Sequence, residues 1–536
     1  MKRKMFAMFL CGALAISLTA CGSDNKETKG ADTKETKVET AGVANKDETE
    51  ESEAIDKDSH INMALFTYIE GLDPAEGWGG WNLTRCGVGE TLITVNENME
   101  FEGQLSDQWE QIDDLTYRVH IRQGVKFSNG TELTPEIAKA SLERSIELNS
   151  RGGALKVASI EVDGENLIFT TEEPFSAFIA NLTEPMYCII DTTADLSEAA
   201  SKPVCTGPYM ITDYVSEEKI EMAANENYWG TVPAIKTITA LNIGSDTKVE
   251  AILAGDIDLA QGANNTTLGQ LEGAGNIDLV TVTGTREDDI TFNCMEGNPL
   301  SDVNLRQALS YATDREVIAK IAGNGYAKPL GTPFPATVGY DSEKVEGQTY
   351  DADKAADLLL EAGYQDSDGN GFVEKDGEEL VITISLSSSS SPAVSEALKD
   401  MWETLGVHTE IEMLENIKDK RTEGSFDVIF GGWQTVNAGD GQYYLASRWQ
   451  TGGVDNYGNY SSEAFDSVMK KLDEAFDQES RVAAFVEAQQ ILSDECPNLW
   501  LYANDNITLV NTDKVSNITM FPIDYYLVSP EWGTGK

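Results

Sequence analysis

The chain has 536 residues, too many for a single hydrophobic core, so two or three lobes are expected. Hydrophobic residues make up 41% and charged residues 24%, the balance of an ordinary soluble globular protein. Asp and Glu number 91 against 39 Lys and Arg, and the resulting net charge of −52 repels phosphate backbones and anionic membrane surfaces, which argues against a nucleic-acid partner. Neither G-x-S-x-G nor H-E-x-x-H occurs, so no hydrolase constellation is read and no enzyme activity is expected.

The first element in chain order is an address. Lys2, Arg3 and Lys4 precede an uncharged, largely apolar stretch at 5–18. A membrane-spanning helix needs about 20 such residues, so the stretch reads as a signal peptide, residues 1–20. It ends in Leu18-Thr19-Ala20-Cys21, which resembles a bacterial lipobox and implies that Cys21 is the first mature residue, lipidated on its thiol. Residues 22–58 are rich in Lys, Glu, Asp, Thr and Gly with almost no large apolar side chain, so they cannot offset their ordering entropy and read as a tether. The protein is thus expected outside the cytoplasm, anchored to the membrane by its lipidated N-terminus. Five further cysteines remain, Cys86, Cys188, Cys205, Cys294 and Cys496, with no C-x-x-C spacing for a metal site. Cys188 and Cys205, the nearest pair in sequence, are the expected disulfide, and the other three read as buried thiols.

From His60 onward strand and helix signals alternate. Y-R-V-H-I-R-Q-G-V-K-F (117–127) alternates as a half-buried strand and ends at the Asn129-Gly130 turn. Thr134 as N-cap and Pro135 at the first helical position open a helix to about Leu148. Asp302 caps a second helix, and Thr313 with Glu316 forms a capping box for a third that ends at Gly323. Asp351 starts a Leu-rich helix that stops at Gly363, a helix at about 393–405 stops at Gly406, and 407–413 follows as a strand. Ser462 starts a long amphipathic run, broken near Asp477 and ended by Pro497. The alternation predicts α/β lobes with covered sheets.

The stretch D-S-D-G-N-G-F-V-E-K-D-G (366–377) places Asp366, Asp368 and Asn370 at calcium-coordinating positions 1, 3 and 5 and Gly371 at the sharp turn. Position 12, which should be a bidentate glutamate, is Gly377, and a strand at 379–386 follows in place of an exiting helix. The stretch therefore reads as a turn-forming connector, with a weak calcium site as the alternative.

Several motifs in one order carry a family resemblance. They are G-L-D-P-A (71–75), G-V-G-E-T-L (87–92), G-Q-L-S-D-Q-W-E (103–110), T-G-P-Y (206–209), N-E-N-Y-W-G (225–230), the run F-N-C-M-E-G-N-P-L-S-D-V-N-L-R-Q-A-L-S-Y-A-T-D-R (292–315), and N-Y-G-N-Y-S-S (456–462). Across nearly all of residues 60–530 the chain resembles the family 5 solute-binding proteins of ABC importers, the peptide- and nickel-binding group. The resemblance implies an α/β, two-lobed, periplasmic-binding-protein-like fold of type II with an extra domain, closing about a hinge. Lobe I would comprise 60–92, 204–286 and 510–536, domain II 93–203, and lobe III 287–509. It also implies a monomer that captures a short peptide or small molecule between its lobes and delivers it to a permease and ATPase complex, without a cofactor. A non-transport ligand receptor or adhesin on the same fold remains the alternative.

The ligand is narrowed by departures from the family pattern. Peptide-binding relatives hold the peptide amine with an aspartate three residues after a tryptophan. Here Trp433 supplies the tryptophan, but the third residue on is Val436, so either Asp440 takes over or no amine is presented there. The metal-chelate branch holds ligand carboxylates with an arginine just after the first domain II helix, and Arg151 falls at that place. The plainer readings of Arg151 are a surface side chain or a cap on its own helix. Arg85 is a second candidate. With three histidines in the chain, His60, His120 and His408, direct metal ligation by protein imidazoles is not expected, and nickel or cobalt would arrive wrapped in a chelator.

Overall fold

The computed structural model describes residues 59–65, 71–340, 342–387, 390, 392–437 and 439–535, so the signal segment, Cys21 and the tether lie outside the described residues. Among these no helix is long and apolar enough to cross a membrane. The main sheet has eleven strands. Along its path run His408–Leu414, Val381–Ser387, Val428–Gln434, Ile277–Phe292, Asn498–Asn511, Leu259–Gln261, His60–Ala64, Thr237–Leu241, Lys219–Ala224 and Tyr209–Val215, with Ala327–Pro329 pairing Asn498–Asn511 off the path. Parallel pairs flank an antiparallel centre, and the edge formed by Thr237–Leu241, Lys219–Ala224 and Tyr209–Val215 is antiparallel again.

Two of the apolar cores on this sheet are joined by its long strands. One gathers Leu309, Ile384 and Trp402, and the other Met63, Leu83, Ile238 and Trp532. The long strands Ile277–Phe292 and Asn498–Asn511 serve both, since Ile290 and Leu499 enter the first core while Val280 and Val510 pack in the second. The result is a mixed α/β, two-lobed architecture joined by a continuous strand pair. A separate antiparallel sheet, Ser106–Asp113, Thr116–Ile121, Asn166–Thr171 and Val157–Asp163, packs Val119, Leu167, Phe169 and Phe178 into a core shared with Phe465, Phe485 and Trp500. The helix Pro135–Leu148 packs against it through Ala138 and Leu142.

Local signals explain most boundaries, and the departures have local causes. Thr134 Oγ1 accepts from Ile137 N–H at 3.4 Å, as the N-cap reading requires. The strand expected over 117–127 ends at Ile121, because Gly124 takes φ +79° and turns the chain. The capping box at Thr313 is not formed. Asp314 is the N-cap, accepting from the N–H groups of Glu316 and Val317, while Thr313 Oγ1 donates back to Leu309 O at 2.8 Å. The amphipathic run after Ser462 is two helices, Glu463–Asp473 and Gln478–Glu495, the second capped by Asp477. Residues 366–377 form a connector leading into a small hairpin, Glu374–Lys375 with Glu378–Glu379. Asp366 there accepts from the N–H groups of Gly369 and Gly371, and Asp368 from Asn370.

A register shift in the long strand pair matters for function. Thr283 pairs with Asp505, but Glu287 already pairs with Ala503, and between them Thr285 N–H turns away to Pro522 O at 3.0 Å. Such bulges re-aim side chains, and this one places Arg286 on the wall of a cavity.

Candidate functional site

The helix Gly79–Arg85 builds one wall. Gly79 and Gly80 let it approach its neighbours closely: a Cβ on Gly80 would stand 2.1 Å from Pro185 O. Trp78 sits at its N-terminus, with Trp81 and Arg85 one turn apart on the buried side. The loop after the helix Pro135–Leu148 meets this wall through Asn149, whose Oδ1 accepts from Arg151 N–H while its Nδ2 donates to Pro74 O at 3.2 Å and Gly77 O at 3.4 Å. Arg151 is thereby set with its Cζ 3.7 Å from the Trp78 ring centroid and 4.4 Å from that of Trp81. Its Nη2 donates to Gly77 O at 3.4 Å, and among the described residues it makes no ion pair. It is therefore neither a free surface side chain nor a cap on its own helix. Burial lowers the Arg151 pKa, and the Glu184 carboxyl raises it in return. Glu184 is buried, its Oε2 has no hydrogen-bond partner among the described residues, and burial pushes its pKa up to about 7.

Arg151, Trp78 and Trp81 face a cavity of about 580 Å³, within the range of small-molecule sites. Arg85 and Arg286 also line it, and both bind Asp524, Arg85 Nη2 at 3.2 Å on Oδ1 and Arg286 Nε on Oδ2. Burial would raise the Asp524 pKa, but the two guanidinium groups hold it below the usual carboxylate range. Arg85 is 3% exposed, so it shapes the wall from behind more than it projects into the space. The opposite wall carries Trp433, Tyr443 and Tyr444. Behind Trp433, Arg448 lies with its Cζ 4.6 Å from the indole centroid and is tied to Asp289 and Glu287.

The structure brings Arg151, Arg85 and Trp433 to one cavity and leaves Asp440 out of it. Val436, three residues after Trp433, is 1% exposed in the apolar core. Asp440 cannot replace it as an amine anchor: its Oδ2 accepts from Arg481 Nε at 2.9 Å and Nη2 at 2.7 Å, and its Oδ1 accepts from Gln442 N–H at 2.8 Å. The expected Cys188–Cys205 disulfide is also corrected. Both are buried free thiols, Cys188 Sγ lying 3.5 Å from Thr84 Oγ1 while the backbone of Cys205 bridges Ile190. No histidine lines the cavity among the described residues. His120 Nδ1 contacts Asp107, which raises its pKa, His408 contacts Glu379, and His60 contacts Thr237 and Asn62.

Sequence reasoning missed Trp78, Trp81, Arg286 and Asp455 as wall residues. The two tryptophans flanking a glycine pair in G-W-G-G-W-N-L-T-R (77–85) were the available signal; Arg286 had none, because a sheet register aims it.

A two-lobed α/β fold with a small-molecule cavity beside the strands that join its lobes defines a binding protein. The chain belongs to the bacterial extracellular solute-binding proteins, family 5, whose middle-region profile matches residues 100–456. It is 26% identical over 452 residues to the nickel-binding protein NikA of Staphylococcus aureus, covering 83% of this chain and 88% of that one. It is 27% identical over 434 residues to heme-binding protein A of Haemophilus influenzae, covering 74% and 78%. Among solved structures, a nickel ABC transporter protein from Bacillus halodurans superposes with a TM-score of 0.75 at 26% identity, covering 88% of this chain and 99% of that one.

Proposed function

We propose that the chain is the extracytoplasmic substrate-binding lipoprotein of an ABC importer, and that it captures a small carboxylate-bearing ligand in the cavity for delivery to a permease. The observation that carries this reading is the Arg151 guanidinium, packed against two indoles on the cavity wall with no ion-pair partner among the described residues. A planar guanidinium matches a carboxylate with two parallel hydrogen bonds, and indole stacking fixes the fork before the ligand arrives. Binding then needs positioning and no chemical step, so no cofactor is involved.

Within that class the occupied Asp440 and buried Val436 argue against a peptide held by the family's usual amine anchor. The wall offers no imidazole or thiol among the described residues, so nickel or cobalt, if carried, is cargo inside a chelator. Mass spectrometry of what co-purifies, with metal analysis, tests this directly: a carboxylate-bearing small molecule is expected, and a bare metal ion would overturn it. Cys21→Ser should release the protein from membranes; a variant that still sediments with them defeats the lipid anchor.

A further inference from the structure

Three arginines line the cavity, and Asp455 is the one carboxylate among the described residues that joins them. It lies in the turn after the helix Gln442–Trp449, where its N–H donates to Ser447 O at 2.9 Å and Tyr457 N–H donates to its carbonyl at 2.8 Å. That turn is therefore fastened to a helix whose Tyr443, Tyr444 and Ser447 also face the cavity. The Tyr457 hydroxyl donates to Asp455 Oδ1 at 2.9 Å, whereas Oδ2 has no hydrogen-bond partner among the described residues. The side chain is half-buried and makes no ion pair. The nearby Arg421 lies over the Tyr457 ring, 5.7 Å from its centroid, and does not reach ion-pair distance of Asp455.

A carboxylate oxygen left without a protein donor on a cavity wall is free to accept from a ligand N–H. Asp440 shows the alternative in the same chain, saturated by Arg481 and turned away from the cavity. Asp455 instead keeps one oxygen available on the wall. Tyr443 lies within electrostatic reach of both ends: burial raises its phenol pKa, Asp455 raises it further, and Arg151 pulls it back. The cavity thus has a carboxylate-binding end at Arg151 and an acid on the opposite wall.

Resting on the carboxylate-binding reading above, we propose that Asp455 receives an amino group of the ligand, so that the cavity selects amino-carboxylate compounds, free or wrapped round a metal, over amine-free carboxylic acids. The amine anchor of this chain is then displaced from the segment after Trp433 to the turn at Asp455.

The probe is a casein hydrolysate of amino acids and short peptides supplied with Ni(II), beside the same hydrolysate exhaustively N-acetylated, which keeps the carboxylates and removes the amine charge. Retention is read by native mass spectrometry on the wild-type protein, Asp455→Asn and Arg151→Ala, with melting curves to establish folding. Wild type should retain components of the untreated mixture at least tenfold better than their acetylated counterparts. Asp455→Asn should lose that preference, and Arg151→Ala should lose retention of both mixtures. Equal retention of the two mixtures by wild type, or an unchanged preference in folded Asp455→Asn, overturns the amine assignment alone. Should wild type retain neither mixture, or Arg151→Ala retain both, the carboxylate reading fails, and the amine assignment with it. If Asp455→Asn does not fold, Asp455→Glu replaces it: the preference should persist, weakened, and its persistence at full strength counts against a positioned contact.

Discussion

Arg151 and Arg448 both stack on tryptophan near the same cavity, and they differ in what their hydrogen-bond donors meet. Arg448, 3% exposed, has its Cζ 4.6 Å from the Trp433 centroid and 4.8 Å from that of Trp449, and it donates to Asp289, Glu287, Thr291 and Asn498. Arg151 is clasped as closely by Trp78 and Trp81 but has only Gly77 O as a hydrogen-bond acceptor among the described residues. Stacking orients both side chains; the protein saturates one as a strut and leaves most donors of the other without a partner among the described residues. The carboxylates repeat the contrast, since Glu287 and Asp289 surround Arg448 on the long strand, whereas Glu184, the carboxyl that acts on Arg151 among the described residues, makes no hydrogen bond there through Oε2.

The strongest way to break this comparison is to remove the strut. Burial, with Asp289 beside it, pushes the Glu287 pKa well up, and Arg448 counters that pressure. Arg448→Ala strands two acids in a dry interior, and losing one partner of such a cluster costs about 3–5 kcal/mol. Urea unfolding should show that loss; a change below about 1 kcal/mol would mean the cluster is not holding the strand pair. Arg151→Ala should do the reverse, leaving the unfolding midpoint within a degree or two while weakening ligand capture at least tenfold, about 1.4 kcal/mol. Calorimetry with unchanged affinity would remove Arg151 from the site. Between these lies Asp440→Asn, which frees Arg481 from its paired carboxylate and should cost about 1–3 kcal/mol of stability while leaving ligand capture unchanged, since Asp440 lies outside the cavity.

How far such roles could be read beforehand depends on whether they are local. The order of motifs from Gly71 to Ser462 identified the two-lobed fold, and caps such as Thr134, Asp302 and Asp351 mark helix starts because a cap is decided within four residues. The slip from Thr313 to Asp314 shows the grain of that signal, as adjacent residues of similar chemistry compete for one N-terminus. Arg151 was singled out by the family resemblance, from its place just after a helix. Its stacking on Trp78 and Trp81 was not, because the two segments meet only through Asn149 and a glycine-permitted approach. Arg286 is aimed by a bulge in a strand pair, and Asp440 is withdrawn by an arginine on a later helix. Both are decided by tertiary pairing, to which the spacing of residues after Trp433 carries no information.

The finest test of the comparison is titration of the open arginine. Burial raises the Glu184 pKa to about 7, and Arg151 opposes that rise without cancelling it. Tyr187 and Tyr525 also lie within its electrostatic reach, and neither phenol ionises near neutral pH, since burial pushes both pKa values up. Below pH 7 Glu184 is neutral and Arg151 presents its full charge to an incoming carboxylate; above pH 7 the ionised Glu184 offsets that charge and repels the ligand. Ligand binding should therefore take up a proton, and affinity should fall as pH rises from 6 to 8. Each unit by which the bound anion raises the Glu184 pKa contributes about tenfold. Glu184→Gln should flatten the profile and keep the tighter affinity at pH 8, whereas an unchanged slope would place the titrating group elsewhere. Arg448 provides the control: its neighbours are already ion-paired and hydrogen-bonded within the protein, so no ligand carboxylate competes for it, and titration there should appear in stability and not in binding.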